Sequence, residues 1–466
     1  MIKLDTSFKI GCLLVLIISF YSCESFVDVE IPNDRITGLT VFENDQTALD
    51  ALDGLYSQLF NTNFAAGGNR SVSFLSGLSA DNFELTSTTA QLQEFFSHQI
   101  SPDNSFNLDL WSGAYQTIYA ANAILEGTEN SSNLSEETRN QLNGGAKFVR
   151  AFAYFYLVEL YHNIPLILTT DYSINATIES SDASTIFNQI VEDLNESLSL
   201  LDEIYINNER TSANSYAAMA LLARVYLFQG DWEQAEYYSN QVIMATDTYE
   251  LLPDLNNIFL PNSREAIWQI SPAGWGGSFR HTREGNLYIM TSFNSSSVVF
   301  SEDFLSIWDT NDLRFQSWIG SFEYENSIYY YPFKYKVQYD NTAGEIPEYS
   351  MVLRLPEQYL IRAEAQMRMG DIQNAIRDLN ILRNRANTSL IGTQEISEDQ
   401  MMEFILLEYR REYFSEWGHR WLSLKRSYST SETSSFWSQW DTINLFYPIP
   451  DAERMKNPNL VQNDGY

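Results

Sequence analysis

Two stretches of this chain, 140 residues apart, carry the same spacing of residues around a Gly-Asp step. Ala223 lies seven residues before Gly230, Tyr226 four before and Ala235 five after; Ala363, Gln366 and Ala375 hold the same offsets from Gly370. Small side chains at those offsets let two antiparallel helices approach closely, and the glycine supplies the residue that turns the chain between them. A fold built on such units must be largely helical. It must also be interrupted, because the spacing is far longer than one helical repeat needs. Gln366 departs from the pattern, standing where the first unit has an aromatic.

The unit resembles the tetratricopeptide helix-turn-helix. Apolar periodicity extends the helical reading elsewhere. It predicts helices over Thr47–Phe60, Leu110–Leu125, Glu136–Tyr161 and Thr185–Leu201, the last with Ile186, Ile190, Leu194 and Leu198 on one face. Ala146–Tyr161 with the helix after Ser184 reads as a further, degenerate unit. The periodicity disappears over about 61–109 and 251–350, which are rich in Gly, Asn, Ser and aromatics, with short β-prone runs at Ala266–Ile270, Val298–Phe300 and Ile328–Gln338. The expected fold is mainly α: a tetratricopeptide-like scaffold over about 41–60, 110–250 and 351–430, carrying an irregular loop and short-hairpin half. Loops held on a rigid scaffold are where binding residues concentrate.

Residues 1–22 read as a signal. Lys3 and Lys9 precede an apolar run from Ile10 to Phe20, which is too short for a bilayer span of about 20 residues. The run ends at Ser22-Cys23, which predicts a lipoprotein cleaved before Cys23 and lipidated on it; an ordinary cleaved signal and an uncleaved anchor are the alternatives. Residues 23–40 read as a lipid-anchored tether and 41–466 as a single domain. The chain has 2 cysteines, and Cys12 lies within the signal, so the domain must hold together by burial without disulfides.

Charge removes one class of partner. At a formal net charge of -33 the chain is repelled by phosphate backbones and anionic lipid heads, which excludes nucleic acid. Nothing in the sequence sets up catalysis. The 4 histidines, His98, His162, His281 and His419, share no metal-ligand spacing, and there is no serine elbow, phosphate loop or paired-histidine helix. Carboxylate pairs for glycoside hydrolysis stay open, since spacing cannot choose among 61 acids. A structural calcium ion is compatible with that acidity, but no calcium-loop motif supports one, and no cofactor is implied.

The run Phe148–Leu157 (FVRAFAYFYL), then Tyr161 and Ile164-Pro165-Leu166, resembles a hallmark of the SusD/RagB family of outer-membrane lipoproteins. Leu360–Ala365 (LIRAEA), Glu408–Glu412 (EYRRE) and Gly418–Arg426 (GHRWLSLKR) are similar to later family segments. Tyr447–Pro450 (YPIP), Asn457–Leu460 (NPNL) and Gln462–Tyr466 (QNDGY) are similar to the family's usual ending. The resemblance implies a surface lipoprotein of the outer membrane, facing the cell exterior, that caps a SusC-like TonB-dependent transporter. It also implies a bound oligosaccharide or, in RagB-like branches, a peptide, delivered without cleavage. The acidic stretch after Cys23 then reads as a sorting signal for the outer face.

A sugar needs flat aromatic faces for its C–H side and planar polar groups for its hydroxyls. Trp275, between glycines in Gly274-Trp275-Gly276-Gly277, is the leading candidate, with a buried loop anchor as the structural alternative. Arg280, Asn286 and Tyr288 follow it, and Asn69, Arg70, Asp81 and Asn82 are comparable candidates in the first irregular segment. Trp111 and Tyr115 are expected in the core, and Trp308 and Trp318 are expected to be structural. Arg410, Arg411 and Arg420 are expected to pair with Glu408, Glu412 and Glu416 and hold the last helix.

Overall fold

A computed structural model describes residues 41–274, 280–342, 344–392, 396–427 and 445–466. The signal, Cys23 and the tether lie outside the described residues. Among those described, the helices of at least 13 residues are α1 (Asp45–Leu59), α2 (Ser105–Asn130), α3 (Glu136–Tyr161), α4 (Ala183–Leu200), α5 (Ser215–Gln229), α6 (Trp232–Met244), α7 (Leu355–Arg368), α8 (Ile372–Arg385) and α9 (Glu398–Tyr413). The fold is the expected mainly-α scaffold. α2 starts five residues before its periodic stripe, because the Asn104 side chain caps it by accepting from the amides of Phe106 and Asn107 at 2.9 and 3.1 Å.

α2, α3, α4, α5 and α6 pack in sequence; α7 then packs on α6, with α8 and α9 against α7. The two glycine-turned units, distant in sequence, are therefore direct neighbours. Gly230 and Gly370 take φ of +76° and +87°, the left-handed region that ends each first helix. Between the units, Ala223, Leu227, Ala235, Ile361 and Ala365 form one closed apolar cluster. Gln366 is explained by the same contact: its Nε2 donates to Glu236 Oε1 at 3.1 Å across the α6–α7 joint.

Buried arginines stitch the row together. Arg150, from the FVRAF run, donates to both Asp193 oxygens at 2.8 and 2.6 Å and to Asn122 at 2.8 Å, joining α3 to α4 and α2. Arg224 on α5 meets both Glu357 oxygens on α7 at 2.6 and 2.7 Å and the Tyr156 hydroxyl at 3.0 Å. Such forked pairs fix geometry as well as charge.

The irregular segments carry short elements. Four antiparallel two-stranded ladders pair β1 (Phe83–Leu85) with β5 (Val298–Phe300), β2 (Ile164–Pro165) with β3 (Ser180–Ser181), β4 (Ala266–Ile270) with β8 (Ser350–Arg354), and β6 (Ile319–Tyr324) with β7 (Ser327–Pro332). The β1–β5 ladder binds the first irregular segment to the second. One large apolar cluster joins residues from Ala48 in α1 to Leu460, and α7–α9 enclose a second of their own.

The charged motif near α9 is structural, but its pairing differs from expectation. Arg410 meets Asp303 at 2.7 Å and Asp81 at 3.3 Å, Arg411 meets Asp309 at 3.4 Å, and Arg420 meets Asp81 at 2.6 Å. Glu408, Glu412 and Glu416 face the other way, into a buried cluster with Arg314, Arg354, Arg383, Arg385 and Lys334. The helical period accounts for part of the reversal: Arg410 and Arg411 fall between Glu408 and Glu412, which share a face one turn apart, and Glu416 joins them from beyond the helix end. Burial alone would raise the Glu412 carboxyl, but Arg385, Arg354 and Arg314 hold it well below its ordinary value. Trp318 is buried beside this cluster, as expected of a structural residue.

The YPIP and QNDGY segments lock onto the middle of the chain. The Tyr447 amide donates to the Leu160 carbonyl at 2.7 Å, and Asn107 Nδ2 donates to the Pro448 carbonyl at 2.8 Å. Asn463 Nδ2 donates to the carbonyls of Tyr161 and Tyr447 at 2.9 and 2.7 Å.

Candidate functional site

The two irregular segments meet where Gly67–Arg70 lies on a short helix, Arg283–Tyr288, capped by Thr282. Gly67 has φ of +73°, and a Cβ there would overlap the Glu284 carboxyl; a Cβ on Gly68 would lie 3.6 Å from Arg283 Cδ. Only glycine lets the first segment approach this closely.

Four of the expected residues stay at least partly exposed. Asn69 is exposed. Arg70 is half-exposed, pairs with Asp109, and lies 4.3 Å over the Phe106 ring. Arg280 is partly exposed; its amide donates to the Asp340 carbonyl and its Nε to the Thr342 carbonyl, both at 3.0 Å. Asn286 Nδ2 donates to the Gln338 carbonyl at 3.1 Å, leaving its oxygen for other use. The Arg280 and Asn286 side chains are both held by the backbone of 338–342, so the second segment positions its own polar groups. Trp275 lies outside the described residues, five positions before Arg280.

The other three expected residues are turned inward. Tyr288 is 2 % exposed, lies 6.0 Å from both Phe74 and Phe83, and its phenol is pushed well up by burial. Asn82 is buried and accepts from Arg410 Nε at 2.8 Å. Asp81 takes a two-pronged bond from Arg420 at 2.7 and 2.6 Å. Burial would raise its carboxyl, but Arg420 and Arg410 hold it below its ordinary value. In this structure all three are committed to the fold and none offers a free face to a ligand.

Other residues at this face lacked a strong sequence signal. Tyr339 is exposed, with its ring 5.2 Å from that of His281. On the β6–β7 hairpin, Tyr324 stacks on Phe293 at 4.6 Å, and Tyr329 meets the same ring edge-on at 5.2 Å. The alternation of Phe322 and Tyr324 against Tyr329 and Tyr331 was a readable β period, but its outward face was not. A polar cavity of about 280 Å³ opens beside Ala273, lined by Asp53, Glu209, Gln269 and Tyr349. Burial raises both the Asp53 carboxyl and the Tyr349 phenol there.

Glu284, beneath the Gly67 contact, is the most perturbed carboxyl of this region. Burial pushes it up to about 7. Its Oε1 accepts from the Ser350 hydroxyl and its Oε2 has no hydrogen-bond partner. Among the described residues no three His, Cys, Asp or Glu side chains are grouped as metal ligands would be.

Comparison with known proteins gives a consistent answer. A family described as "Starch-binding associating with outer membrane" matches residues 33–227, and one described as "SusD family" matches residues 319–445. SusD-like protein P25 of Formosa agariphila is 24% identical, over 97% of this chain and 97% of its own. A SusD superfamily protein from Bacteroides vulgatus superposes with a TM-score of 0.78 at 21% identity, over 92% of this chain and 100% of that one. A laminarin-binding SusD-like protein gives a TM-score of 0.74 at 23% identity, over 91% of this chain and 100% of that one. The expected tetratricopeptide-like scaffold, the ordered motifs along the chain and these matches agree: the chain belongs to the SusD/RagB family.

Proposed function

We propose that this chain is a surface lipoprotein, anchored through Cys23, that binds glycan oligomers and delivers them to a SusC-like TonB-dependent outer-membrane transporter. The family description, starch-binding in association with the outer membrane, supports the ligand class and the membrane. The chain is a binding protein and not an enzyme. The observation that supports the reading is the contact of the two irregular segments at Gly67 and Glu284, flanked in sequence by the partly exposed Asn69, Arg70, Arg280 and Asn286. Capture there needs ring stacking and hydrogen bonding to fixed side chains. A neutral glycan also avoids the repulsion that a net charge of -33 imposes on anionic ligands. Residues 1–22 act as the signal, 23–40 as the tether and 41–466 as one domain in this reading.

The test is affinity electrophoresis of residues 24–466 through gels containing soluble laminarin, soluble starch or no polysaccharide, with Trp275→Ala and an Arg280→Ala/Asn286→Ala variant alongside. Retardation by a glycan, lost in the variants, is the expected result. Retardation unchanged in both variants sinks this face, and no retardation in any gel points to peptide as the ligand. Anchoring is tested separately: Cys23→Ser should abolish incorporation of labelled palmitate.

A further inference from the structure

We propose that a cavity on the scaffold, between α2 and the segment Pro165–Ile178, is a second site for a short neutral sugar; this rests on the glycan reading above. Its volume of about 560 Å³ falls within the range of small-molecule sites. Trp111, Tyr115 and Tyr119 recur every fourth residue along α2 and so share one face. That stripe runs outward: Trp111 is 2 % exposed, Tyr115 is half-buried with its hydroxyl donating to the Pro165 carbonyl at 2.9 Å, and Tyr119 is 55 % exposed. Tyr172, on the short helix Tyr172–Asn175, lines the same cavity and is 82 % exposed. Aromatic rings this large are seldom left in water without a partner for their faces.

The polar groups suit a polyhydroxylated ligand. Asn175 lines the cavity with its Nδ2 tied to the Thr169 carbonyl at 2.8 Å, while its buried Oδ1 has no hydrogen-bond partner. A buried acceptor left unmet is costly, and a sugar hydroxyl could satisfy it. Gln116 adds an exposed amide. Lys456 and Glu453 at the rim pair with each other at 2.7 Å, so they cancel and favour neither an anion nor a cation. Flat faces, a free acceptor and no net local charge together describe a pyranose better than a purely apolar or an ionic ligand.

Isothermal titration with laminarihexaose and maltohexaose, the two probes, separates this site from the first. Tyr119→Ala/Tyr172→Ala removes only exposed side chains, so the melting temperature should not change. We expect the wild type to bind one of these probes at two sites per chain. The double variant should keep one site and lose at least about fivefold in affinity at the other, the scale of one aromatic anchor. Wild-type binding at a single site, unaffected by the double variant but lost in Trp275→Ala, overturns the second site and leaves the glycan reading intact. Absence of heat with either probe overturns the proposal together with the glycan reading. Unchanged sugar binding with loss of transporter co-purification also overturns it, assigning the surface to a protein contact.

Discussion

Replacing Glu284 with glutamine should remove one component of the pH dependence of stability. The folded carboxyl releases its proton near pH 7, because its burial outweighs the hydrogen bonds that favour its charged form, whereas an unfolded glutamate does so near 4.5. Between those values the folded state holds a proton that the unfolded state has lost, so stability falls as pH rises through this window. The gap is worth about 3 kcal/mol once both states are ionised, at roughly 1.4 kcal/mol per pH unit, and under about 1 kcal/mol at pH 5. Glutamine keeps an oxygen to accept from Ser350 and carries no charge. Guanidinium unfolding of both proteins at pH 5, 6, 7 and 8 measures the difference directly, and other titrating groups cancel in the comparison. The advantage of Glu284→Gln should grow by about 2 kcal/mol from pH 5 to pH 8. A difference that stays constant across that range would refute the assignment of a buried, uncompensated carboxylate at this joint.

Three further outcomes follow from the same contacts. Gly67→Ala must place a Cβ in the Glu284 carboxyl at a φ of +73°, so it should lower the melting temperature and weaken glycan retardation together, whereas Gly54→Ala on the open face of α1 should do neither. Arg354→Met leaves Glu412 and Glu416 buried with one cation fewer and should cost about 3–5 kcal/mol in denaturant unfolding; a cost under 1 kcal/mol would mean that the cluster redistributes freely. Ala235→Leu overpacks the closed cluster between α6 and α7 and should cost about 1–3 kcal/mol by the same assay, while a neutral result would show that the two units do not pack closely.

Local signals carried the scaffold. α3 has the boundaries its periodicity and its Asn163/Pro165 stop predict, and the strands Ala266–Ile270 and Val298–Phe300 coincide with their β-prone runs. The partners of charged residues were far less legible. Helical period puts Glu408 and Glu412 on one face, but nothing near them in sequence indicates that Arg314, Arg354 and Arg385 arrive there from other elements. The same limit governed the site. Asp81, Asn82 and Tyr288 have the residue types of ligand contacts and lie in loop-like segments, yet long-range pairing with Arg410, Arg420 and the Phe74–Phe83 pocket turns them inward. Arg280 and Asn286 stayed outward with donors met by main-chain carbonyls, and Arg70 with Asp109 on α2. Exposure is decided by such partners, and a partner two hundred residues away leaves no local mark. Trp111 is in the core as expected and Tyr115 packs against it, but the period does not say that the core ends before Tyr119.

The stacking of α6 on α7 encloses residues 245–354 as one long excursion whose two ends are fixed by packed helices. Closing such a loop costs entropy that rises only with the logarithm of its length, about 0.6 kcal/mol for each doubling. Most of the outward face is therefore built on the part of the chain where insertion and deletion are thermodynamically cheapest. A single misplaced methyl group at the Ala235–Ala365 joint would cost more than tens of added residues in the excursion. The architecture thus separates two kinds of variation: the helical joint accepts almost none, and the excursion can be rewritten for a new ligand without renegotiating the scaffold.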